Sequence, residues 1–426
     1  MSSLLIEGGR PISGRIDVEG NKNAALPLLA ACLLTTEECV LANMPRIGDV
    51  EVMAKLLTEV GAEVHGVGTT TVRVRCRDIL TSEPTSELVG KLRGSVLLLG
   101  PLLARTGRAV LATPGGDFPA RRTIGTHIDA LVHLGATVLP STGHALEAPD
   151  GLHPASMYLD EASVTGTETA LLAAATVEGV TEIRHAATEP HVVEVCEFLQ
   201  QMGVGITGAG SSTIRIEGTT RPRGATHKLN GDYIEAGSWA VVAAVTGGAI
   251  EVRGARGEDV EGIAFVLKRM RIECTFEDGL MTIQPSRPIA AGRITTGLWP
   301  SFPSDFVSLV TVLATQADGR TLIHDWMYEL RLFALEQLSG MRADLFLCDP
   351  HRIIVTGPSK LRGRKLDSRD LRSGMALIAA GLAAEGQSRL SPLETVERGY
   401  GHLVERLKML GARVEQIEQR VPQPQA

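Results

Sequence analysis

One short phrase of apolar and polar residues recurs along the chain. Its four clear copies are LTEVGAEV, LVHLGATV, LQQMGVGI and LKMLGARV, which contain Gly61, Gly135, Gly203 and Gly411. The pattern predicts an amphipathic helix, then a glycine that takes the left-handed C-cap conformation, then an alternating strand. Two weaker copies, LKRMRIEC and LSGMRADL, carry Arg271 and Arg342 at the glycine position. We expect those two helices to be capped differently or to end elsewhere.

A second phrase, an apolar run of small residues before a β-patterned stretch, also occurs once per copy. Its versions are NAALPLLAACLL, SVLLLGPLLARTGRAVL, TALLAAATVEGVTEI, SWAVVAAVTGGAIEV, SLVTVLATQADGRTLI and MALIAAGLAAEGQSRL. Small side chains let neighbouring backbones approach closely, so each run predicts a helix packed on all sides. The chain is therefore expected to contain six units of strands, one buried helix and one amphipathic helix.

The units repeat at intervals of about 70 residues, longer than the period of roughly 20 to 50 residues of a thin solenoid. The interval instead favours an α/β fold with two domains of three units each, with the sheets outside and the buried helices central. Residues 218–232, rich in Gly, Pro and Thr, are the predicted crossing between the domains. The glycine-rich GAGSS at Gly208 is interpreted as a hairpin turn rather than a ligand loop.

Composition narrows the classes of function. The chain has 426 residues, a formal net charge of −7 and a pI near 5.9, which argue against a broad cationic face for nucleic acid or an anionic membrane. The sequence has neither a signal-peptide pattern nor an apolar stretch of about 18 residues, so we expect a cytoplasmic protein. Six scattered cysteines indicate neither a disulfide framework nor a zinc site.

Polar residues directly before the apolar helices are the first candidates for chemistry. Glu19-Gly20-Asn21-Lys22-Asn23 precedes the first buried helix, where backbone N–H groups and a lysine would attract an anion. The alternative is a simple N-cap by Asn21 or Asn23. Asp305 and Arg372 also precede buried helices.

A glycine-rich segment is the second candidate. Residues 114–122, PGGDFPARR, combine a glycine hinge, an acid and two adjacent guanidiniums, which would suit a lid over a phosphate. The alternative is a solvated loop without a role. Arg331 and Arg398 follow short β-patterned stretches, and each alone is more often a surface charge.

As a set, these residues resemble the enolpyruvyl transferase family, on its UDP-sugar branch. The segments that carry the resemblance are GNKNAALPLLAACLL, LRGSVLLLGPLLAR, PGGD, SVTGTETALLAAATVEG, EAGSWAVVAAVTGG, SFPSD, DLRSGMALIAAGLAAEG and ERGYGHL. The resemblance implies an inside-out α/β barrel of six βαβαββ repeats in two domains. Residues 22–230 would form the domain with the lid loop, residues 1–21 and 231–426 the other, and the active site would lie in the cleft between them.

The activity implied by the resemblance is transfer of the enolpyruvyl group of phosphoenolpyruvate to a uridine-nucleotide hydroxyl by addition and elimination. No cofactor or metal is expected, because cationic side chains would supply the electrostatic stabilisation. The resemblance assigns phosphoenolpyruvate binding to Lys22, Arg93, Arg122, Arg331, Arg372 and Arg398. It assigns acceptor binding to Asn23, Arg122, Ser163, Val164, Gly166, Asp305 and Met327.

Four residues are implied to be catalytic, namely Lys22, Asp117, Asp305 and Arg398. Asp305 would be the general base for the attacking hydroxyl. Asp117 stands where many family members have a cysteine, and it would act as the proton donor. The carboxyl group predicts resistance to epoxide inhibitors that alkylate that cysteine, such as fosfomycin.

Departures from the family pattern lie on the acceptor side. Glu161 stands where a lysine or an apolar residue is usual, and its charge would repel a diphosphate. Trp326 and Met327 replace smaller residues in the segment implied to bind the sugar. Three hypotheses stay open: transfer to the 3-hydroxyl of UDP-N-acetylglucosamine in peptidoglycan synthesis, transfer to a smaller uridine nucleotide such as UMP in secondary metabolism, and a non-catalytic paralogue. Retention of the implied phosphoenolpyruvate residues argues against the third.

Overall fold

The protein has an α/β fold, seen in a computed structural model that describes residues 2–115, 123–141, 143–277, 279–329 and 331–418. Its strands are β1 (Ser2–Glu7), β2 (Ser13–Asp17), β3 (Cys39–Ala42), β4 (Glu63–His65), β5 (Thr71–Arg75), β6 (Arg108–Leu111), β7 (Thr137–Leu139), β8 (His144–Glu147), β9 (Ser156–Tyr158), β10 (Val180–Arg184), β11 (Gly205–Thr207), β12 (Thr213–Glu217), β13 (Thr226–Lys228), β14 (Ala249–Arg253), β15 (Cys274–Glu277), β16 (Leu280–Ile283), β17 (Arg293–Thr295), β18 (Gly319–His324), β19 (Asp344–Asp349), β20 (Arg352–Gly357), β21 (Lys365–Asp367), β22 (Gln387–Ser391) and β23 (Arg413–Glu418).

The helices alternate with these strands. They are α1 (Lys22–Ala31), α2 (Gly48–Glu59), α3 (Ser86–Val89), α4 (Leu99–Thr106), α5 (Gly125–His133), α6 (Val164–Ala174), α7 (Pro190–Gln201), α8 (Tyr233–Thr246), α9 (Gly257–Arg269), α10 (Val307–Gln316), α11 (Gln337–Gly340), α12 (Leu371–Ala383), α13 (Glu394–Glu397) and α14 (Leu403–Met409). Short 3₁₀ segments lie at Cys32–Leu34, Arg93–Leu98, Ser304–Phe306 and Arg331–Glu336.

Within the described residues the strands form six sheets, of which five are mixed and one is antiparallel. Five sheets have four strands, in the orders β21-β22-β1-β23, β11-β12-β10-β9, β13-β3-β5-β4, β15-β16-β14-β2 and β17-β18-β20-β19, and the sixth is β6-β8-β7. Each four-stranded sheet has one parallel pair, such as β9 with β10, and its other neighbours are antiparallel. The run β9-α6-β10-α7-β11-β12 shows the repeating unit, in which a buried helix connects the parallel strands as such pairs require.

The chain divides into two compact units. The first unit is residues 19–231, and the second unit is residues 1–18 with 232–426. In each unit a strand pairs with a partner that is distant in the sequence. In the first unit β13 pairs in parallel with β3, and in the second unit β1 lies between β22 and β23. The segment 218–232 therefore contains a sheet strand as well as the unit boundary. The prediction that residues 22–230 form the domain with the lid loop, and residues 1–21 with 231–426 the other domain, stays a prediction.

Small-residue helices form the core of each unit. In the second unit α8, α10 and α12 contact one another, and nearly all their residues are buried. In the first unit α6 packs on α4, and α1 packs on the 3₁₀ segment that leads into α4. The sheets cover these helices with one face only. In β12, for example, Ile214 and Ile216 are buried whereas the alternate residues are exposed, as the period of a strand requires.

All six recurring helix ends are built in the same way. Arg271 and Arg342 adopt left-handed φ angles of 57° and 72°, like the four glycines in the other copies. In each copy the next residue donates its N–H to a carbonyl five residues earlier, as Ile272 does to Leu267 at 3.0 Å. The expectation of a different cap at the two arginines was therefore wrong. The GAGSS segment is the turn between β11 and β12, as predicted.

Candidate functional site

Two arginines converge on one carboxylate in the second unit. Nη1 of Arg331 lies 3.1 Å from Oδ1 of Asp305, and Nη2 of Arg372 lies 3.1 Å from its Oδ2. Nε of Arg372 also donates to Oδ2, at 3.2 Å. Asp305 lies in the 3₁₀ turn before α10, and Arg372 is in the first turn of α12, whose N-cap is Asp370. We call Arg331, Arg372 and Asp305 the arginine clamp.

The clamp is held at fixed charge. The side chains of Arg331 and Arg372 are 14% and 8% exposed. Burial alone would lower the pKa of each guanidinium, but neighbouring groups including Asp305 outweigh it and the pKa of each is raised. The Tyr400 phenol is the largest favourable neighbour of Arg372. Both side chains therefore remain cationic, and a planar guanidinium is well suited to bind a carboxylate.

Neutral side chains also contact the two guanidiniums. Nη1 of Arg331 donates to Oγ of Ser304 at 2.9 Å, and the guanidinium lies 4.6 Å from the Tyr328 ring centroid. Nη1 of Arg372 donates to the Tyr400 hydroxyl at 3.2 Å. Met327, implied to bind the acceptor, follows β18 and is half-buried. Arg398 is half-buried at the C-cap of α13.

In the first unit Lys22 is the buried cation. Its Nζ lies 2.8 Å from Oδ2 of Asp49, and both side chains are almost fully buried. Asn21 caps α1, since its side chain accepts from the N–H groups of Asn23 and Ala24. The N-cap interpretation is confirmed for Asn21, whereas the binding of an anion by Lys22 stays a prediction.

The residues implied to bind the acceptor lie at the start of α6. Ser163 is the N-cap and accepts from the N–H of Gly166 at 3.3 Å, while Val164 is the first helical residue. The N-terminus of a helix attracts anions, yet the exposed side chains of Asp160 and Glu161 precede this one. The sequence motif therefore marks a helix start correctly, but the charged side chains that directly precede it in the sequence are negative.

A histidine from α5 adjoins this helix start. Nε2 of His127 lies 2.8 Å from Oγ1 of Thr165. Burial lowers the pKa of His127 to about 4, with a smaller contribution from Arg93, so the ring is neutral near pH 7. Arg93 is half-buried at the start of its 3₁₀ segment and donates to the carbonyl of Thr123 at 2.7 Å.

Some candidates were not found by sequence reasoning, and others lie outside the described residues. Asp117 and Arg122 belong to the second group. Asp49, His127 and Asp325 were missed, because each becomes relevant only through a contact with a distant residue.

The described residues contain no group of three or more His, Cys, Asp or Glu side chains that would hold a metal. In that same part of the chain, no helix has the length and apolarity needed to cross a membrane.

Comparison with known proteins identifies the class to which this fold and clamp belong. The family model of EPSP synthase (3-phosphoshikimate 1-carboxyvinyltransferase) matches residues 6–407. The chain belongs to the enolpyruvyl transferase family. It is 40% identical over 423 residues to the UDP-N-acetylglucosamine 1-carboxyvinyltransferase of Treponema denticola, covering 97% of this chain and 99% of that protein. It is 41% identical over 422 residues to the protein of the same name from Treponema pallidum, with coverage of 97% and 99%.

Solved structures support the fold. The enolpyruvyl transferase NikO from Streptomyces tendae is similar, with a TM-score of 0.86 and 24% identity over 97% of this chain and 98% of that one. An EPSP synthase from Acinetobacter baumannii has a TM-score of 0.76 and 20% identity over 98% of this chain and 100% of that chain. The predicted α/β fold of the family is therefore confirmed.

Proposed function

We propose that this enzyme transfers the enolpyruvyl group of phosphoenolpyruvate to the 3-hydroxyl of UDP-N-acetylglucosamine and releases phosphate. The product is a precursor of peptidoglycan, and the proposed location is the cytoplasm. Identity of about 40% over nearly the whole chain to relatives named for this reaction supports the proposal. The observation that carries it is the arginine clamp, in which two guanidiniums already enclose a carboxylate.

The proposed chemistry is addition followed by elimination. A proton is added to C3 of phosphoenolpyruvate, and the acceptor oxygen forms a bond to C2 as its own proton passes to a base. The tetrahedral adduct then loses a proton from C3 and expels phosphate from C2, which restores the double bond. We assign the base to Asp305 and the proton donor to Asp117, and the phosphate to Lys22, Arg122 and Arg398.

Asp305 cannot accept a proton effectively while it is paired with two guanidiniums, since nearby positive charge favours its ionised form. We propose that the carboxylate of phosphoenolpyruvate takes over Arg331 and Arg372 and releases Asp305. The exchange replaces one carboxylate with another, so the charge of the clamp is conserved. Binding of the donor would thereby activate the base, and the clamp would hold no unpaired cation at any stage.

The acceptor nucleotide is proposed to bind at the start of α6, with its phosphates directed at Ser163, Val164 and Gly166. Asn23, Asp305 and Met327 would contact its sugar. A smaller uridine nucleotide such as UMP is the second candidate. Two observations favour it, namely the carboxylates of Asp160 and Glu161 beside the helix start and the side chain of Trp326, which is 48% exposed next to Met327.

We further infer that the repeats of each unit form an inside-out α/β barrel. The arrangement that supports this inference is the same in both units, with buried small-residue helices inside and sheets that expose one face.

Release of phosphate from phosphoenolpyruvate tests the proposal and separates the two candidates. Purified protein is supplied with phosphoenolpyruvate and either UDP-N-acetylglucosamine or UMP, and the product is identified by mass. Release with UDP-N-acetylglucosamine supports the first candidate. Release with UMP alone favours the second candidate, and Glu161 and Trp326 are then the residues to substitute next as determinants of acceptor specificity. Absence of release with either nucleotide contradicts both.

A further inference from the structure

Two buried hydroxyl chains extend from the arginine clamp into the core of the second unit. In the first chain Arg331 donates to Ser304 at 2.9 Å, and Ser304 donates to Asp325 at 2.8 Å. In the second chain Arg372 donates to Tyr400 at 3.2 Å, and Tyr400 lies 2.8 Å from Ser238. Every group behind the two guanidiniums is almost fully buried.

The direction of every hydrogen bond in these chains is fixed by chemistry. A guanidinium has only donors, so the hydroxyl oxygen that faces it must accept. The single proton of Ser304 is then directed away from Arg331 and towards the Asp325 carboxylate, which can only accept. The proton of Tyr400 is likewise directed to Ser238, and Ser238 donates to the carbonyl of Ile234 at 2.6 Å. Neither chain has a second orientation that keeps all its bonds.

Asp325 anchors the first chain. Its side chain is completely buried and accepts from Thr296 at 2.8 Å, from Ser304, and from the N–H of Met327 at 3.3 Å. Three donors therefore hold the carboxylate in place. Its negative charge also helps to raise the pKa of Arg331, after the contributions of Asp305 and Tyr328. A buried carboxylate one hydroxyl behind a substrate-binding arginine fixes both the charge and the position of that arginine.

We propose that Ser304, Asp325, Tyr400 and Ser238 are positioning residues for the donor carboxylate. This inference rests on the proposed function, and in particular on the release of Asp305 from the clamp. When Asp305 leaves, Arg331 and Arg372 lose their direct carboxylate partner. The two hydroxyl chains hold both guanidiniums in the geometry that the incoming carboxylate requires. The two side chains therefore lose little conformational freedom when the carboxylate binds.

Removal of one hydroxyl from each chain tests the proposal. In Ser304→Ala and Tyr400→Phe we expect KM for phosphoenolpyruvate to rise about tenfold or more, as for loss of a hydrogen bond to a charged group. We expect kcat to change less than threefold and KM for the nucleotide to stay the same. Ser304→Thr keeps the hydroxyl and should restore a KM near that of the wild type.

Thr311→Val is the matched control, because Thr311 is a buried hydroxyl in α10 that donates only to the carbonyl of Val307, at 2.8 Å. It should keep all wild-type constants. Unchanged KM for phosphoenolpyruvate in both hydroxyl variants would overturn the proposal, as would a fall in kcat at constant KM. Thermal unfolding of each variant separates these effects from loss of the fold.

Crystal structures of Ser304→Ala and Tyr400→Phe provide a measurement that does not depend on turnover. The guanidinium of Arg331 in the first variant, and that of Arg372 in the second, should be displaced or occupy two conformers. Both guanidiniums in wild-type positions would overturn the inference. If the wild type itself fails to release phosphate, the proposed function fails, and these structures still decide whether the hydroxyl chains position the clamp.

Discussion

The arginine clamp and the start of α6, the proposed sites for the donor carboxylate and the acceptor phosphates, present their charges in opposite ways. In the second unit two cations are paired with an internal carboxylate and supported by buried hydroxyls. In the first unit the described groups before α6 are two exposed carboxylates, although that helix start is the proposed site for nucleotide phosphates. The comparison teaches that the second unit already holds two guanidiniums in position around a carboxylate, whereas the described side chains directly before α6 are acidic and would repel a diphosphate.

The largest expected effect is at Asp305, where the clamp and the chemistry meet. In Asp305→Ala kcat should fall by about 10² to 10⁴, the range for loss of a general base. The affinity for phosphoenolpyruvate, measured by calorimetry, should stay equal or increase, because the carboxylate no longer competes for the two arginines. Asp305→Asn should behave similarly in kcat. A variant that binds the donor more weakly would contradict the proposed exchange.

A second prediction concerns His127, a buried and neutral side chain beside the start of α6. The pKa of His127 is about 4 in the folded state against an ordinary value of 6.5, so the unfolded state binds more protons between these values. Its contribution to stability is fully present above pH 6.5 and is lost as the pH falls towards 4, by about 3 kcal/mol at most. Denaturant unfolding at a series of pH values measures this loss of unfolding free energy.

The matched variants are His127→Gln and, as a control on the exposed surface, His65→Gln. Only His127→Gln should make the unfolding free energy less dependent on pH between 6.5 and 4. An equal dependence in wild type and His127→Gln would show that the ring is not held neutral by burial.

Reversal of one charge tests the mismatch at the acceptor end. In Glu161→Lys we expect KM for UDP-N-acetylglucosamine to fall about threefold to tenfold, because a cation beside the helix start attracts the diphosphate. High salt should diminish the gain. Glu178→Lys, a reversal at another exposed glutamate of the first unit, should leave KM unchanged. An unchanged KM in Glu161→Lys would remove Glu161 from the acceptor site.

The smallest effect concerns the residue type at the helix ends. All six ends are left-handed, but Arg271 and Arg342 of the second unit take the place of the glycine that the other four copies have. An arginine in that conformation costs about 1 kcal/mol, so Arg271→Gly should increase the free energy of unfolding by up to that amount. Lys268→Gly, in the right-handed part of α9, should instead decrease it by about 1 kcal/mol. Equal effects would show that Arg271 is unstrained.

The sequence predicted the helices that recur in each repeat. Periodicity and small-residue runs indicated the buried helices, and the glycine copies indicated where amphipathic helices end. The left-handed arginines could not be predicted, since the conformation is imposed by the surrounding unit against the preference of the residue itself. Asp49 and Asp325 were missed for a related reason. Lys22 and Asp49 meet only when α2 packs on α1, and Asp325 meets Ser304 only when β18 lies beside α10.

The most direct test of the account is a crystal structure of the enzyme with phosphoenolpyruvate and UDP-N-acetylglucosamine. Substrate and product carry the same carboxylate, so either state is informative. We predict this carboxylate within hydrogen-bond distance of Arg331 and Arg372, with Asp305 displaced from both and facing the acceptor oxygen. A donor carboxylate bound elsewhere, with Asp305 still paired to the two guanidiniums, would contradict the proposed exchange and the role of Asp305 as base.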